Sequence, residues 1–162
     1  MKDKNIIDMI SRFLSWISGA AIVIMMVLMV ADAIGRKILG SVPGGYYTTL
    51  AILIMVLFFP QGYAQMRKAH ITIDLVTSKL NKKTQKVFSI VTTFMAVFFY
   101  GVVTWAGLLK AIESTRVKEE WMGAIFFPAW PFRWAIPIGL GVFTLQLIKT
   151  LIEEIYKPAG RE

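Results

Sequence analysis

His70 and Asp74 are the side chains best spaced for chemistry, an imidazole and a carboxylate four residues apart that one helix face would bring together. His70 is the only histidine. Paired axial histidines around a haem, or a histidine-rich metal site, therefore cannot form within one chain. A structural hydrogen bond that orders the segment around His70 and Asp74 suits the pair better than a metal. Asp32 and Arg36 are also four apart, with the acid N-terminal to the base, the favourable order for an ion pair within a helix. Such a pair lowers the cost of two charges at a membrane edge, and it also suits a contact with another subunit. There is no cysteine, which excludes disulfides, thiolate metal sites and cysteine catalysis. No glycine-rich phosphate loop, HExxH or nucleophile elbow is present. These residues predict neither an enzyme nor a bound cofactor.

What positions these side chains is legible in the spacing of charge. No charged residue occurs from Phe13 to Ala31, from Ile38 to Met66, or from Val87 to Leu109. Each run approaches or exceeds the roughly 20 apolar residues that cross about 30 Å of hydrocarbon. A fourth window, Trp134 to Ile148, reaches spanning length if Arg133 and Lys149 extend toward opposite interfaces. The fold class expected is an all-α integral membrane protein. Its four transmembrane helices would cover about 13–34, 46–66, 87–110 and 131–152, with an amphipathic cytoplasmic interfacial helix at about 70–86. The middle of the spans should lack the polar groups and broken helices that carriers place near the midplane.

Composition supports one membrane unit without a soluble domain, since 56% of the 162 residues are hydrophobic. The net charge of +8 then reflects topology and anionic headgroups, and no nucleic-acid partner is expected. The first apolar run is too long for a signal-peptide core and is expected to remain as helix 1. With the N-terminus inside, twelve lysines and arginines fall on the cytoplasmic side and six on the other. Both termini and the middle loop should be cytoplasmic in a bacterial inner membrane.

Between the spans the punctuation is strong. Val42-Pro43-Gly44-Gly45 forces a turn before helix 2, and Tyr46 and Tyr47 follow at the outer interface. Pro60 removes a backbone donor near the inner end of helix 2, frees a carbonyl one turn earlier and should bend the helix beside Gln61. In the middle loop, Arg67 precedes His70 and Asp74, and Lys79, Lys82, Lys83 and Lys86 recur at spacings of three and four as a basic stripe. Ile73, Val76, Leu80 and Val87 make the adjoining apolar stripe. A helix at headgroup level or against a partner, and a solvated linker that sets topology, both fit this pattern. The charges from Glu113 to Glu120 could extend helix 3 beyond the membrane. Trp121 to Phe132, with two prolines, is too short to span and should lie along the outer interface or re-enter shallowly.

Several of these stretches resemble one family. Ala31-Asp32-Ala33-Ile34-Gly35-Arg36, the Val42-Pro43-Gly44 turn, and above all Arg67-Lys68-Ala69-His70-Ile71-Thr72-Ile73-Asp74-Leu75 are similar to the small, DctQ-like membrane subunit of tripartite ATP-independent periplasmic (TRAP) transporters. Phe127-Pro128-Ala129-Trp130-Pro131 followed by Ile136-Pro137-Ile138-Gly139 resembles that family's last segment. The resemblance runs in order over nearly the whole chain. Family members often carry an acid just after the Pro-Gly turn, where this chain has Tyr46 and Tyr47.

The resemblance implies a four-helix subunit that associates with a large multi-spanning subunit, which carries sodium and a small organic anion in an elevator-like cycle. A periplasmic solute-binding protein would deliver the carboxylate or sulfonate, with direct contact to the outer loops of this chain as one route. Asp32, Arg36, Arg67, His70 and Asp74 become candidate structural or subunit-interface residues. Lys79, Lys82, Lys83 and Lys86 become candidates for headgroup or partner contact, with membrane lipids as further partners. The rival reading is a small homo-oligomeric exporter or channel, its path lined by Asp32 and Gln61.

Overall fold

The structure, a computed structural model, describes residues 6–38, 44–67, 82–121 and 126–156. Helix α1 runs Ile6–Ile38, with Asp8 in its first turn and Arg36 and Lys37 in its last, each placed to suit the helix dipole. Helix α2 (Gly45–Phe58) starts after Gly44, whose positive φ of 76° ends the turn, and Thr48 Oγ1 bonds back to the Gly44 carbonyl at 3.1 Å. Helix α3 (Gln61–Met66) continues the same span beyond Phe59 and Pro60. Helix α4 (Lys82–Arg116) is 35 residues long, about 52 Å at 1.5 Å per residue. Two-residue strands β1 (Glu120–Trp121) and β2 (Phe127–Pro128) pair antiparallel, and α5 (Trp130–Arg133) leads into α6 (Ala135–Tyr156).

Four helical segments, 6–38, 45–66, 84–116 and 130–156, are long and apolar enough to cross a membrane. The chain is thus an all-α, multi-pass membrane protein, as the charge-free runs predict. Two findings refine that expectation. Residues 82–86, expected at the end of an interfacial helix, form the first turn of α4 instead, while the rest of that segment lies outside the described residues. The hairpin β1-β2 also interrupts the stretch expected to lie flat, its backbone paired through the register Glu120 to Pro128 and Trp121 to Phe127.

Helix α6 is the centre of the bundle, packing along α4 and against α1, α2 and α3, while α1 packs on α2 and α3. Its buried residues include Leu140, Phe143, Gln146 and Leu147. Helices α1 and α4 instead turn long apolar faces outward, among them Trp16, Val27 and Val30 on one and Phe94, Phe98 and Trp105 on the other. The bundle has a near end, formed by residues 6–12, 61–67, 82–89 and 146–156, and a far end, formed by 32–38, 44–48, 110–121 and 126–134.

The break at Pro60 is sealed rather than open. Pro60 cannot donate to the carbonyl of Val56, one turn back, and Ser18 Oγ of α1 occupies that place at 3.3 Å. From the other side α6 comes in at Gly139, where an added Cβ would stand 2.4 Å from the Phe58 carbonyl oxygen. Gly62 gives a second close approach, its missing Cβ leaving room for Val142 and Ser11. The break thus falls at Pro60, where the sequence predicts a bend, and the buried Ser18 hydroxyl that seals it is a polar group that the charge-free runs do not reveal. Thr104 and Thr144 also face each other at 3.4 Å, each already bonded to its own helix carbonyl four residues back. Those groups are satisfied locally, so they hold helices together.

At the far end α4 stops through a hydrogen-bonded turn. Glu119 N donates to the Ser114 carbonyl at 2.9 Å and Lys118 N to that of Thr115 at 3.3 Å, with Lys118 in the left-handed region at φ 48°. This reverses the chain and delivers Glu119 back toward the start of α6.

Candidate subunit-contact site

The sequence-predicted residues fall at both ends of the bundle. Arg36 Nε donates to Asp32 Oδ2 at 2.9 Å and a second guanidinium nitrogen reaches the same oxygen, so the i, i+4 pair forms as its spacing predicts. Its exposure is lopsided: the Asp32 side chain is 15% exposed and that of Arg36 63%. The carboxylate is held against the helices and the cation reaches outward at the far end. Arg67 belongs to the near end, where its Nε donates to Tyr63 Oη at 3.0 Å and its guanidinium lies 5.5 Å from the centre of that ring. Lys86 Nζ donates to the Ile155 carbonyl at 3.4 Å, which ties the start of α4 to the end of α6. His70, Asp74 and Lys79 lie outside the described residues, as do the side chains of Lys82 and Lys83. Of the described residues, only Asp32 and Arg36 are brought together, while Arg67 and Lys86 make separate contacts at the near end.

The strongest polar cluster was not singled out by spacing. At the near end Lys149 Nζ sits 2.8 Å from both carboxylate oxygens of Asp8, and Gln146 Nε2 donates to Asp8 Oδ1 at 2.9 Å and to Ser11 Oγ at 3.1 Å. Ser11 in turn donates to the Ile7 carbonyl. Gln146 and Ser11 are both buried, so every donor of this seam has been given an acceptor where water is scarce. Gln65 reaches Thr150 beside it. One signal could have led here: Lys149 closes the last apolar window at the end where Asp8 lies one turn before Arg12, the charge that opens the first.

A matching clasp closes the far end. Arg133 pairs with Glu119, whose backbone carbonyl also accepts from Ala129 N and Trp130 N. The bond from Arg133 holds the Glu119 carboxyl below the usual carboxylate range, against the opposing effect of burial. Trp134 Nε1 donates to Thr115 Oγ1 at 2.9 Å. Rings continue the clasp sideways: Tyr46 meets Tyr47, Tyr47 meets Trp121, Trp121 stacks on Phe127 and Phe127 on Phe132. A shallow cleft of about 180 Å³ beside Glu119 is lined by two cations, Lys110 and Arg133, and two carboxylates, Glu113 and Glu119. Balanced charges of that kind give no net field to hold an ion.

Because the folded pKa of Glu119 is depressed, the pair contributes stability that is complete above the ordinary glutamate value and is lost as pH falls through the lowered one. Glu119→Gln should lower the thermal midpoint by the same amount from pH 7 down to about 5, with the gap to the parent closing below about pH 4. A gap that stays constant to pH 3 would show that the carboxylate charge contributes nothing.

Helical spans closed at both ends by ion pairs, with apolar faces turned outward, define a multi-pass membrane protein. The chain matches the family described as tripartite ATP-independent periplasmic transporters, DctQ component, over residues 8–156. It belongs to that family and is a small membrane subunit of a TRAP transporter. A search of curated proteins finds no match to it.

Proposed function

We propose that this subunit is the scaffold on which a large transport subunit is seated for sodium-coupled uptake of a small organic anion, a carboxylate or sulfonate, delivered by a periplasmic binding protein. In this reading it lies in a bacterial inner membrane with both termini cytoplasmic, the orientation favoured by its twelve-to-six division of lysine and arginine. The near end is then cytoplasmic and the far end periplasmic. The observation that carries the proposal is the division of chemistry between inside and outside. The described charged groups at the bundle seams pair with each other, whereas α1 and α4 present apolar faces long enough to meet a large helical neighbour. Solute and sodium are left to be bound in the other membrane chain. Asp32 with Arg36 at one end, and Arg67, His70 and Asp74 at the other, are proposed to fix the seat. Lys79, Lys82, Lys83 and Lys86 are proposed to hold it against anionic headgroups or the partner.

Reconstitution tests this directly. The purified chain in liposomes should take up no organic anion under an inward sodium gradient, and adding the large subunit and its loaded binding protein should start uptake. Saturable, sodium-dependent uptake by this chain alone would discard the scaffold and favour a homo-oligomeric pore.

A further inference from the structure

We infer that the bundle sits obliquely in the bilayer, its helices roughly 30–45° from the membrane normal, with the apolar face of α4 reaching into the acyl chains of the near leaflet and that of α1 into the far one. Contacts across α6 set the register of its neighbours. On the α4 side Phe143 meets the Tyr100 ring and Glu154 accepts from Ser89, so each step along α6 is matched by one step back along α4. On the α1 side Gln146 donates to Ser11 and Lys149 to Asp8. Lys149 lies six positions after Phe143 and Phe94 six before Tyr100, which makes Asp8 level with about Phe94. The same register puts Ser18 level with about Gly139, and Ser18 does meet the Val56 carbonyl beside Phe58, on which Gly139 packs.

The charge-free runs of α1 and α4 do not share these levels. Phe13, where the α1 run opens, is level with about Phe99, twelve residues or about 18 Å beyond the opening of the α4 run at Val87. Ala31, where the α1 run closes, is level with about Val117, eight residues or about 12 Å beyond Leu109. Two runs that differed only in length would be offset in opposite senses at their two ends. An offset of one sense at both ends is an inclination. Helix α6 packs on both α1 and α4 and separates them by two interhelical steps of about 8–10 Å, which sets the angle.

An upright bundle would strand charge. A hydrocarbon layer about 30 Å thick that covered the exposed Val87, Phe88 and Val91 of α4 would also cover the exposed Arg12 of α1. One that covered Val27 and Val30 of α1 would also cover Glu113 and Arg116 of α4. Inclination takes both apolar corners into the acyl chains and both charged corners out of them. The exposed tryptophans agree. Trp16 and Trp105 stand at nearly the same level, yet Trp16 is three residues inside the near end of its run and Trp105 four inside the far end of its own. Tryptophan is enriched at both membrane interfaces, and an oblique bundle brings these two rings toward opposite ones.

The chain has no native cysteine, so single nitroxide labels can be introduced at exposed positions of the full chain without background. Met9→Cys of α1 and Phe94→Cys of α4 are level at the near end, and Val27→Cys of α1 and Glu113→Cys of α4 are level at the far end. In vesicles of phosphatidylethanolamine and phosphatidylglycerol, relaxation by oxygen would be compared with relaxation by a water-soluble nickel complex. The oxygen-to-nickel ratio should be several-fold higher at 94 than at 9, and several-fold higher at 27 than at 113. Equal ratios in either pair, or the reverse order, would overturn the inclination. Polarised infrared absorption of the unlabelled chain in oriented bilayers guards against distortion by the labels. Its amide bands should give a mean helix tilt of about 30° or more, and a tilt below the usual value of about 20° would overturn the proposal as well. Neither measurement bears on whether the chain supports transport.

Discussion

Gly139→Ala should be the most damaging single-methyl change in the described bundle, lowering stability by about 3 kcal/mol, at the upper end for overpacking. The added carbon would lie 2.4 Å from the Phe58 carbonyl oxygen and 2.6 Å from its carbon. Backbone cannot step aside as a flexible side chain would. Either α6 withdraws from the break in the second span, or the break itself shifts and loses the Ser18 bond to Val56. Gly101→Ala is the control, because nothing stands within 4 Å of the added carbon, and there the gain in helix propensity of about 1 kcal/mol should appear undiminished. Denaturant unfolding in mixed micelles would compare the two. Equal stability of both variants would mean that α6 does not approach Phe58 so closely.

The second large effect belongs to the Asp8 and Lys149 clasp. Lys149→Met removes the cation bonded to a carboxylate that is about one-fifth exposed, and Asp8→Asn strands the ammonium in turn. Each should cost about 2 kcal/mol, below the 3–5 typical of a fully buried pair because water still reaches both groups. The double variant should cost less than the sum by about 1–2 kcal/mol, since neither charge is then left without its counterpart. Strict additivity would show that the two residues stabilise the bundle by separate means. Gln146 sets a further expectation: with its donor bonded to both Asp8 and Ser11, Gln146→Leu should weaken the coupling as well as the fold.

What could be read from the sequence and what could not divide along range. The four spans were legible because excluding charge from hydrocarbon acts residue by residue and leaves a mark on every window. Asp32 with Arg36, and the break at Pro60, were legible because both are local rules that operate over one helical turn. The partners that complete those features were not. Ser18 caps a carbonyl 38 positions away, and Lys149 meets a carboxylate 141 positions away, and a serine or a lysine carries no sign of which distant group it will meet. Gly139 was visible only as part of a family-like Ile-Pro-Ile-Gly stretch, whereas its role depends on a backbone brought to it from another helix. The hairpin went unforeseen for a related reason: strands of two residues are too short to show the alternation that marks longer ones.

The central position of α6 bears on how the chain is made. Helices α1, α2, α3 and α4 all pack against an element translated after every one of them, and Asp8 must wait for a lysine 141 residues downstream. At elongation rates of about 5–20 residues per second, that wait lasts roughly 7–28 s. Throughout it, the carboxylate lacks its counterion and the faces that α6 will cover stay open to lipid or to chaperones. A closed bundle can form only once α6 has been made, so the fit of any larger partner to the finished bundle has to follow the synthesis of α6.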